Sequence, residues 1–266
     1  MNIFRLKDMT EEEKTKIIKR AETDITSHMQ LAKEVSDDVK KRGDAALLAY
    51  TEKFDRVKLP GGRIKVTEEE IQQGYDSVEP KVREAIEYAA KNIRDFHAKQ
   101  LPEEMWFTEV DKGLLVGEKT TPIVDVCLYV PGGKGSFPSV LLMLGIPAVV
   151  AGVPKIVVVT PPNEQGNVDD AILAAAKIIG VTEIYKVGGI QAVAAAAYGT
   201  QSVPKCHKII GPGNSYATAA KRVLANYIDV GLPAGPSESI ILADQDADPV
   251  SYTHLDVYKR QRQYQP

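Results

Sequence analysis

From residue 123 onward the sequence repeats one unit: a short β-branched run, a glycine-bearing junction and an apolar helical stretch. Few architectures accept that rhythm. The run Lys155–Thr160 reads Lys-Ile-Val-Val-Val-Thr with no polar alternation, as expected of a strand buried on both faces. Residues 123–130 form a β-rich run that ends in Pro131-Gly132-Gly133-Lys134-Gly135, and an apolar helix starts near Pro138. Residues 168–179 are predicted helical and 183–187 a strand, after which Gly188-Gly189 leads into an Ala-rich helix over 191–198. Residues 207–210 are a strand, Gly211-Pro212-Gly213-Asn214 a turn, and Asn214 caps a helix to residue 226. Residues 239–243 are one more strand. Four β-loop-α units in succession predict a parallel sheet in an α/β protein.

The front of the chain differs. Its first 120 residues hold 47 charged side chains, whereas the next 130 hold 18, which marks a boundary within a 266-residue chain long enough for about two domains. The front part reads as solvated helices. Thr10 with Glu13, and Thr67 with Glu70, match the capping box, in which hydroxyl and carboxylate satisfy each other's orphan amides. Val82, Ile86, Ala89, Ile93 and Phe96 alternate spacings of four and three, which predicts one buried stripe on a long helix over 80–101. Residues 63–66 are expected to be a short strand after a Gly61-Gly62 turn.

Several function classes are excluded early. A net charge of −3 gives no electrostatic case for a nucleic-acid or membrane-surface partner. The longest apolar run, residues 140–153, contains Gly145 and Pro147 and is shorter than the ~20 residues that span a bilayer. No signal stretch opens the chain, so the expected location is the cytoplasm. Cys127 and Cys206 make neither a disulfide framework nor a Cys-x-x-Cys pair, which fits a reducing compartment.

The junctions point to a site. Gly132-Gly133, Gly188-Gly189 and Gly211-Pro212-Gly213 all fall where a strand passes into a helix, and in open parallel sheets those junctions gather at the carboxyl ends of strands, where ligands bind. Glycine there lets the backbone approach a ligand, and the following helix N-terminus favours an anionic group such as pyrophosphate. At any one junction, glycine as a plain strand-to-helix turn is the simpler reading. Three in succession, with Ala234-Gly235-Pro236-Ser237-Glu238 after them, favour a nucleotide site. Neither G-x-G-x-x-G nor G-x-x-x-x-G-K-[ST] occurs, so pattern alone stops at an α/β nucleotide-binding protein.

Longer words carry more. Leu128-Tyr129-Val130-Pro131-Gly132-Gly133, Tyr185-Lys186-Val187-Gly188-Gly189-Ile190-Gln191-Ala192, Lys208-Ile209-Ile210-Gly211-Pro212-Gly213-Asn214 and Ala234-Gly235-Pro236-Ser237-Glu238 closely resemble histidinol dehydrogenase. Arg42-Gly43-Asp44-Ala45-Ala46-Leu47 and Asn92-Ile93-Arg94-Asp95-Phe96-His97 are also similar to that family, and the likeness runs in order from about residue 30 to 250. The resemblance implies a zinc-dependent homodimer that oxidises L-histidinol to L-histidine by way of the aldehyde, reducing two NAD. It implies two incomplete Rossmann-like domains with parallel sheets and an aldehyde dehydrogenase-like architecture, preceded by N-terminal helices. On this chain the expected divisions are a helical segment over 1–30, the start of a first α/β domain over 31–120, an NAD-side domain over 121–236, a return strand over 237–250, and a tail over 251–266.

Tyr129, Gln191 and Asn214 match NAD-contacting positions of the family, and Ser237 matches a substrate contact. A tyrosine can stack on or hydrogen-bond a ribose or ring, and amides can read hydroxyls and phosphates. Each has a plainer alternative: Tyr129 a sheet residue, Gln191 a helix-start polar, Asn214 an N-cap, Ser237 a turn former. Glu238 is equally a hydrogen-bonder beside Ser237 or a brace for the turn.

From about Ser251 the chain reads Ser-Tyr-Thr-His-Leu-Asp-Val-Tyr-Lys-Arg-Gln, which does not resemble the family and looks like a frameshift or cloning scar. The Gln-Ala-Glu-His helix expected there, and the later zinc ligands and Glu-His base pair, do not follow, so no catalytic or metal-binding residue is assigned. The histidines supply no substitutes. His28 is expected on a solvated helix, His97 at the edge of the apolar stripe, His207 before a strand without an assignable role, and His254 in the tail. Neither Cys127, within a strand, nor Cys206, beside Lys205 and Pro204, suits the nucleophile of an aldehyde dehydrogenase relative. The alternative to an active dehydrogenase is an NAD-binding fragment of one that oxidises nothing.

Overall fold

The computed structural model describes residues 8–18, 26–132 and 135–231. The chain divides into two units, and the larger, Thr23–Gly235, holds every element below except the first helix. That helix, α1 (Glu11–Ile18), starts at the expected capping box: the Glu13 carboxylate accepts from the Thr10 N–H at 2.8 Å, and Thr10 Oγ1 accepts from the Glu13 N–H at 3.2 Å.

In the larger unit, helices α2 (Thr26–Arg42), α3 (Asp44–Tyr50), α4 (Glu68–Ser77) and α5 (Pro80–Ala98) come first. A two-stranded antiparallel hairpin follows, β1 (Met105–Asp111) with β2 (Leu114–Lys119), turning at Gly113 with φ 77°. Then come β3 (Asp125–Tyr129), α6 (Pro138–Val150), β4 (Lys155–Thr160), α7 (Asp170–Ile179), β5 (Glu183–Lys186), α8 (Gly189–Tyr198), β6 (Ile209–Ile210) and α9 (Ser215–Leu224).

Strands β3 to β6 form the expected parallel sheet, in the order β5-β4-β3-β6. Its side chains alternate with the strand period of two. Cys127, Tyr129, Val157, Val159 and Tyr185 face one layer, built from α2, α3, α8 and α9. Val126, Leu128, Val158 and Ile184 face the other, built from α4 to α7. Burial on both faces explains why β4 could be read from an unbroken apolar run. The winding reverses at β3, with β4 on one side and β6 on the other, so a topological switch point lies between β3 and β6.

Four expectations change. Residues 63–66 make a single antiparallel bridge, Lys65 to Tyr185, with the Val66 N–H on the Ile184 carbonyl at 2.9 Å; this lays chain along the free edge of β5. The strand over 207–210 shortens to Ile209–Ile210. Of the expected stripe on α5 only Ile86 is buried; Ala89 and Ile93 are half-buried, and Val82 and Phe96 are exposed, Phe96 by 61%. A 19-residue helix is about 28 Å long and outruns the layer it packs on. Finally, His28 is half-buried rather than solvated, its ring 4.3 Å from that of Tyr216, because α2 lies across α9.

Candidate functional site

At the carboxyl ends of β3, β4 and β5 the chain leaves a cleft of about 940 Å³, within the range of small-molecule sites. The three residues expected to contact NAD, Tyr129, Gln191 and Asn214, all line it. Tyr129 ends β3, and its hydroxyl accepts the Gly189 N–H at 3.0 Å. Burial pushes the phenol up to about 12, with the Asp55 carboxylate adding to the shift against the Gly189 N–H. Tyr129 is therefore a neutral phenol that retains a proton to donate.

Gln191 lies in the first turn of α8 and is 1% exposed, and its Oε1 is buried without a hydrogen-bond partner among the described residues. Asn214 is the N-cap of α9, as its position predicted, with Oδ1 accepting the Ala217 N–H at 3.0 Å. Capping uses the oxygen, so the amide nitrogen is the group Asn214 can offer a ligand.

The glycines at these junctions serve the protein's own packing. A Cβ on Gly211, whose φ is 123°, would sit 2.2 Å from the Tyr129 carbonyl oxygen. One on Gly188 would meet Pro161 at 2.7 Å. The turn after β6 is thus pinned to the end of β3. Lys221 adds a tie, its Nζ donating to the Gly211 carbonyl at 2.6 Å and standing 5.9 Å from the Tyr129 ring centre. Burial lowers the pKa of this lysine.

Two further polar atoms in the cleft were not legible in the sequence. Thr160, the last residue of β4, holds Oγ1 buried without a partner among the described residues, and so does Asp55 at Oδ2. Burial pushes the Asp55 carboxyl up to about 6. A buried polar atom without a partner costs roughly 1–3 kcal/mol, which marks it as a place for a ligand group. The signal for Thr160 was its position at a strand end; Asp55 had none.

Other candidates fall elsewhere. His207 gains a role: its backbone N–H donates to Asp125 Oδ1 at 2.6 Å and its Nδ1 pairs with Oδ2 at 2.9 Å, bracing the start of β3, while its ring is 71% exposed. His97 packs edge-on against Phe96 and is not among the residues that line the cleft. Cys127 and Cys206 are buried free thiols, and hydrogen bonding to Cys206 together with burial pushes the Cys127 thiol well up, away from nucleophilic use. Among the described residues, no group of three or more His, Cys, Asp and Glu side chains converges to suit a metal ion, and no helix is long and apolar enough to cross a membrane. Ser237, Glu238, the strand over 239–243 and His254 lie outside the described residues.

The sequence profile of the histidinol dehydrogenase family matches residues 18–257, a span that reaches a few residues past Ser251. A histidinol dehydrogenase of Synechocystis is 47% identical over 247 residues, covering 93% of this chain and 57% of the relative. A histidinol dehydrogenase homolog of Cereibacter sphaeroides is 51% identical over 230 residues, covering 86% and 52%. The crystal structure of histidinol dehydrogenase from Elizabethkingia anophelis superposes with a TM-score of 0.78 at 42% identity, over 83% of this chain and 50% of that one. The chain spans about half the length of the curated relatives it matches. With the profile covering most of its length and the parallel α/β fold shared, the chain belongs to the histidinol dehydrogenase family.

Proposed function

We propose that this chain carries the dinucleotide-binding part of a histidinol dehydrogenase, which oxidises L-histidinol to L-histidine with NAD. One observation supports the reading above others. Tyr129, Gln191 and Asn214, matched to the family by sequence, line one cleft at the sheet's switch point, and that cleft also holds three buried polar atoms with no protein partner among the described residues. The residues present fit such a ligand. Tyr129 donates its phenol proton, Gln191 Oε1 accepts a hydroxyl or amide, and the Asn214 amide nitrogen donates. The N-terminus of α8, which opens into the cleft at Gly189, suits pyrophosphate. When bound, NAD supplies the hydride acceptor.

Ser237 is the proposed substrate contact. The family resemblance also implies zinc, a homodimer and a cytoplasmic location. No donor set among the described residues fits zinc. The division into an incomplete first domain over 31–120 and an NAD-side domain over 121–236 belongs to the same proposal.

Calorimetric titration of the 266-residue chain with NAD tests the binding. We expect saturable one-to-one binding that disappears in Gln191→Leu; no binding at millimolar NAD overturns the reading. NADH formation from L-histidinol with added Zn²⁺ then separates an oxidising enzyme from a fragment that binds only.

A further inference from the structure

The segment that brings Asp55 to the cleft is unusual. Helix α3 does not end at a cap but widens into a π-turn over Thr51–Asp55. Arg56 follows with φ 58°, the one non-glycine residue of positive φ among the described residues. A π-turn inserts one extra residue and turns the following side chains by about 100° from where an α-helix would carry them. Left-handed backbone at a residue with a Cβ costs of order 1 kcal/mol and persists where the surroundings enforce it. Both features fall next to Phe54 and Asp55, which line the cleft.

The chemistry of the lining limits what Asp55 can meet. The cleft carries three carboxylates, Asp55, Glu164 and Asp169, and no lysine or arginine among its described lining residues. Asp169 is committed, with its Oδ1 accepting from the Ser136 hydroxyl and from the Ala171 and Ile172 amides that it caps. Glu164 is exposed. Of the three, Asp55 alone holds a buried oxygen without a partner among the described residues. In a Rossmann unit the ribose is usually read by an acidic residue near the end of the second strand. Here the corresponding strand, β4, ends Val159-Thr160, and the first carboxylate after it, Glu164, is exposed.

We propose that Asp55 is a specificity-determining residue of the cleft, its Oδ2 accepting the 2′-hydroxyl of the adenosine ribose, so that the site takes NAD and rejects the 2′-phosphorylated NADP. This rests on the dinucleotide reading above. Opposite a hydroxyl, the carboxylate gains a charge-assisted hydrogen bond. Opposite a phosphate it meets like charge and no donor, the repulsive half of specificity. Burial raises the carboxyl only to about 6, so it is ionised at pH 7.5.

The test is calorimetric titration of the 266-residue chain at pH 7.5 with NAD and with NADP, in the parent and in Asp55→Asn, Asp55→Ser and Glu164→Gln. The parent should favour NAD by about 10- to 100-fold, the range of one hydrogen bond to a charged group. Asp55→Asn should weaken NAD about 10-fold and collapse that ratio, whereas Glu164→Gln keeps it. Asp55→Ser, which removes both charge and bulk, should bind NADP more tightly than the parent does, a gain that misfolding cannot produce. If Asp55→Asn and Asp55→Ser keep the parent's ratio, Asp55 does not read the ribose, though the dinucleotide site stands. If the parent binds neither nucleotide, the dinucleotide reading fails and this inference with it.

Discussion

At the scale of single residues, Asp55 shows how burial sets behaviour that the local sequence does not encode. Within Glu52-Lys53-Phe54-Asp55-Arg56 it resembles any solvated carboxylate. The fold buries one of its oxygens and raises its carboxyl to about 6, above the ordinary carboxylate value of about 4. Because the native state then holds this proton more tightly than the unfolded chain, stability falls as pH rises from about 4 to about 6 and changes no further above that. Discounted for partial exposure, the effect is about 1–2 kcal/mol. Asp55→Asn cannot lose a proton, so its melting temperature should gain on the parent's across that window and hold the gain above it. Melting curves at pH 4, 5, 6 and 7.5 read this directly; a difference independent of pH would refute it. Tyr129, Gln191 and Asn214, by contrast, could be singled out together, because each sits inside a long word that resembles the family, and all three line the cleft.

At the scale of elements, local signals held and packing signals slipped. Thr67 and Glu70 form their capping box in full, since its hydrogen bonds span only three residues. Glu70 also pairs with Lys186, which is 5% exposed; burial would raise this carboxyl, but the lysine and the Thr67 N–H hold it low. That long-range partner could not be read locally. Nor was the β1–β2 hairpin legible, because neither face is buried and its apolar residues run together as Met105-Trp106-Phe107 and Leu114-Leu115-Val116 instead of alternating. The crossing of α4 over α7 depends on a glycine: a Cβ on Gly74 would lie 2.7 Å from Leu173 Cβ. Gly→Ala within a helix ordinarily stabilises by up to about 1 kcal/mol. Here overpacking of about 1–3 kcal/mol should win, so Gly74→Ala should lower the denaturation free energy, and adding Leu173→Ala should cost less than the two single losses summed. Urea unfolding of the four chains measures the coupling, and additivity would count against this account.

At the scale of the whole Thr23–Gly235 unit, the cleft draws on α2 at Leu31, the π-turn at Phe54 and Asp55, the ends of β3 and β4, and the starts of α8 and α9. A ligand held by all of these stabilises the unit as one body. NAD at 100 times its dissociation constant should add about 2.7 kcal/mol and raise the melting temperature by roughly 5–10 °C. In Gln191→Leu the shift should vanish, while the variant alone melts no lower than the parent, because leucine removes a buried acceptor that has no partner among the described residues. Scanning calorimetry with and without NAD reads both. A shift that survives in Gln191→Leu would move the ligand elsewhere.

The sequence by itself determined the parallel α/β class, the starts of α1, α4, α5, α6 and α9, and the family. Those depend on strand period, caps and words of six to eight residues, which are local along the chain. Only the tertiary structure decided which polar groups meet in the cleft, how the glycines at its rim are used, and that Asp55 belongs to it. Asp55 and Tyr129 are 74 positions apart, and what brings them together is the packing of α2 and α3 against one face of the sheet, which no local pattern records.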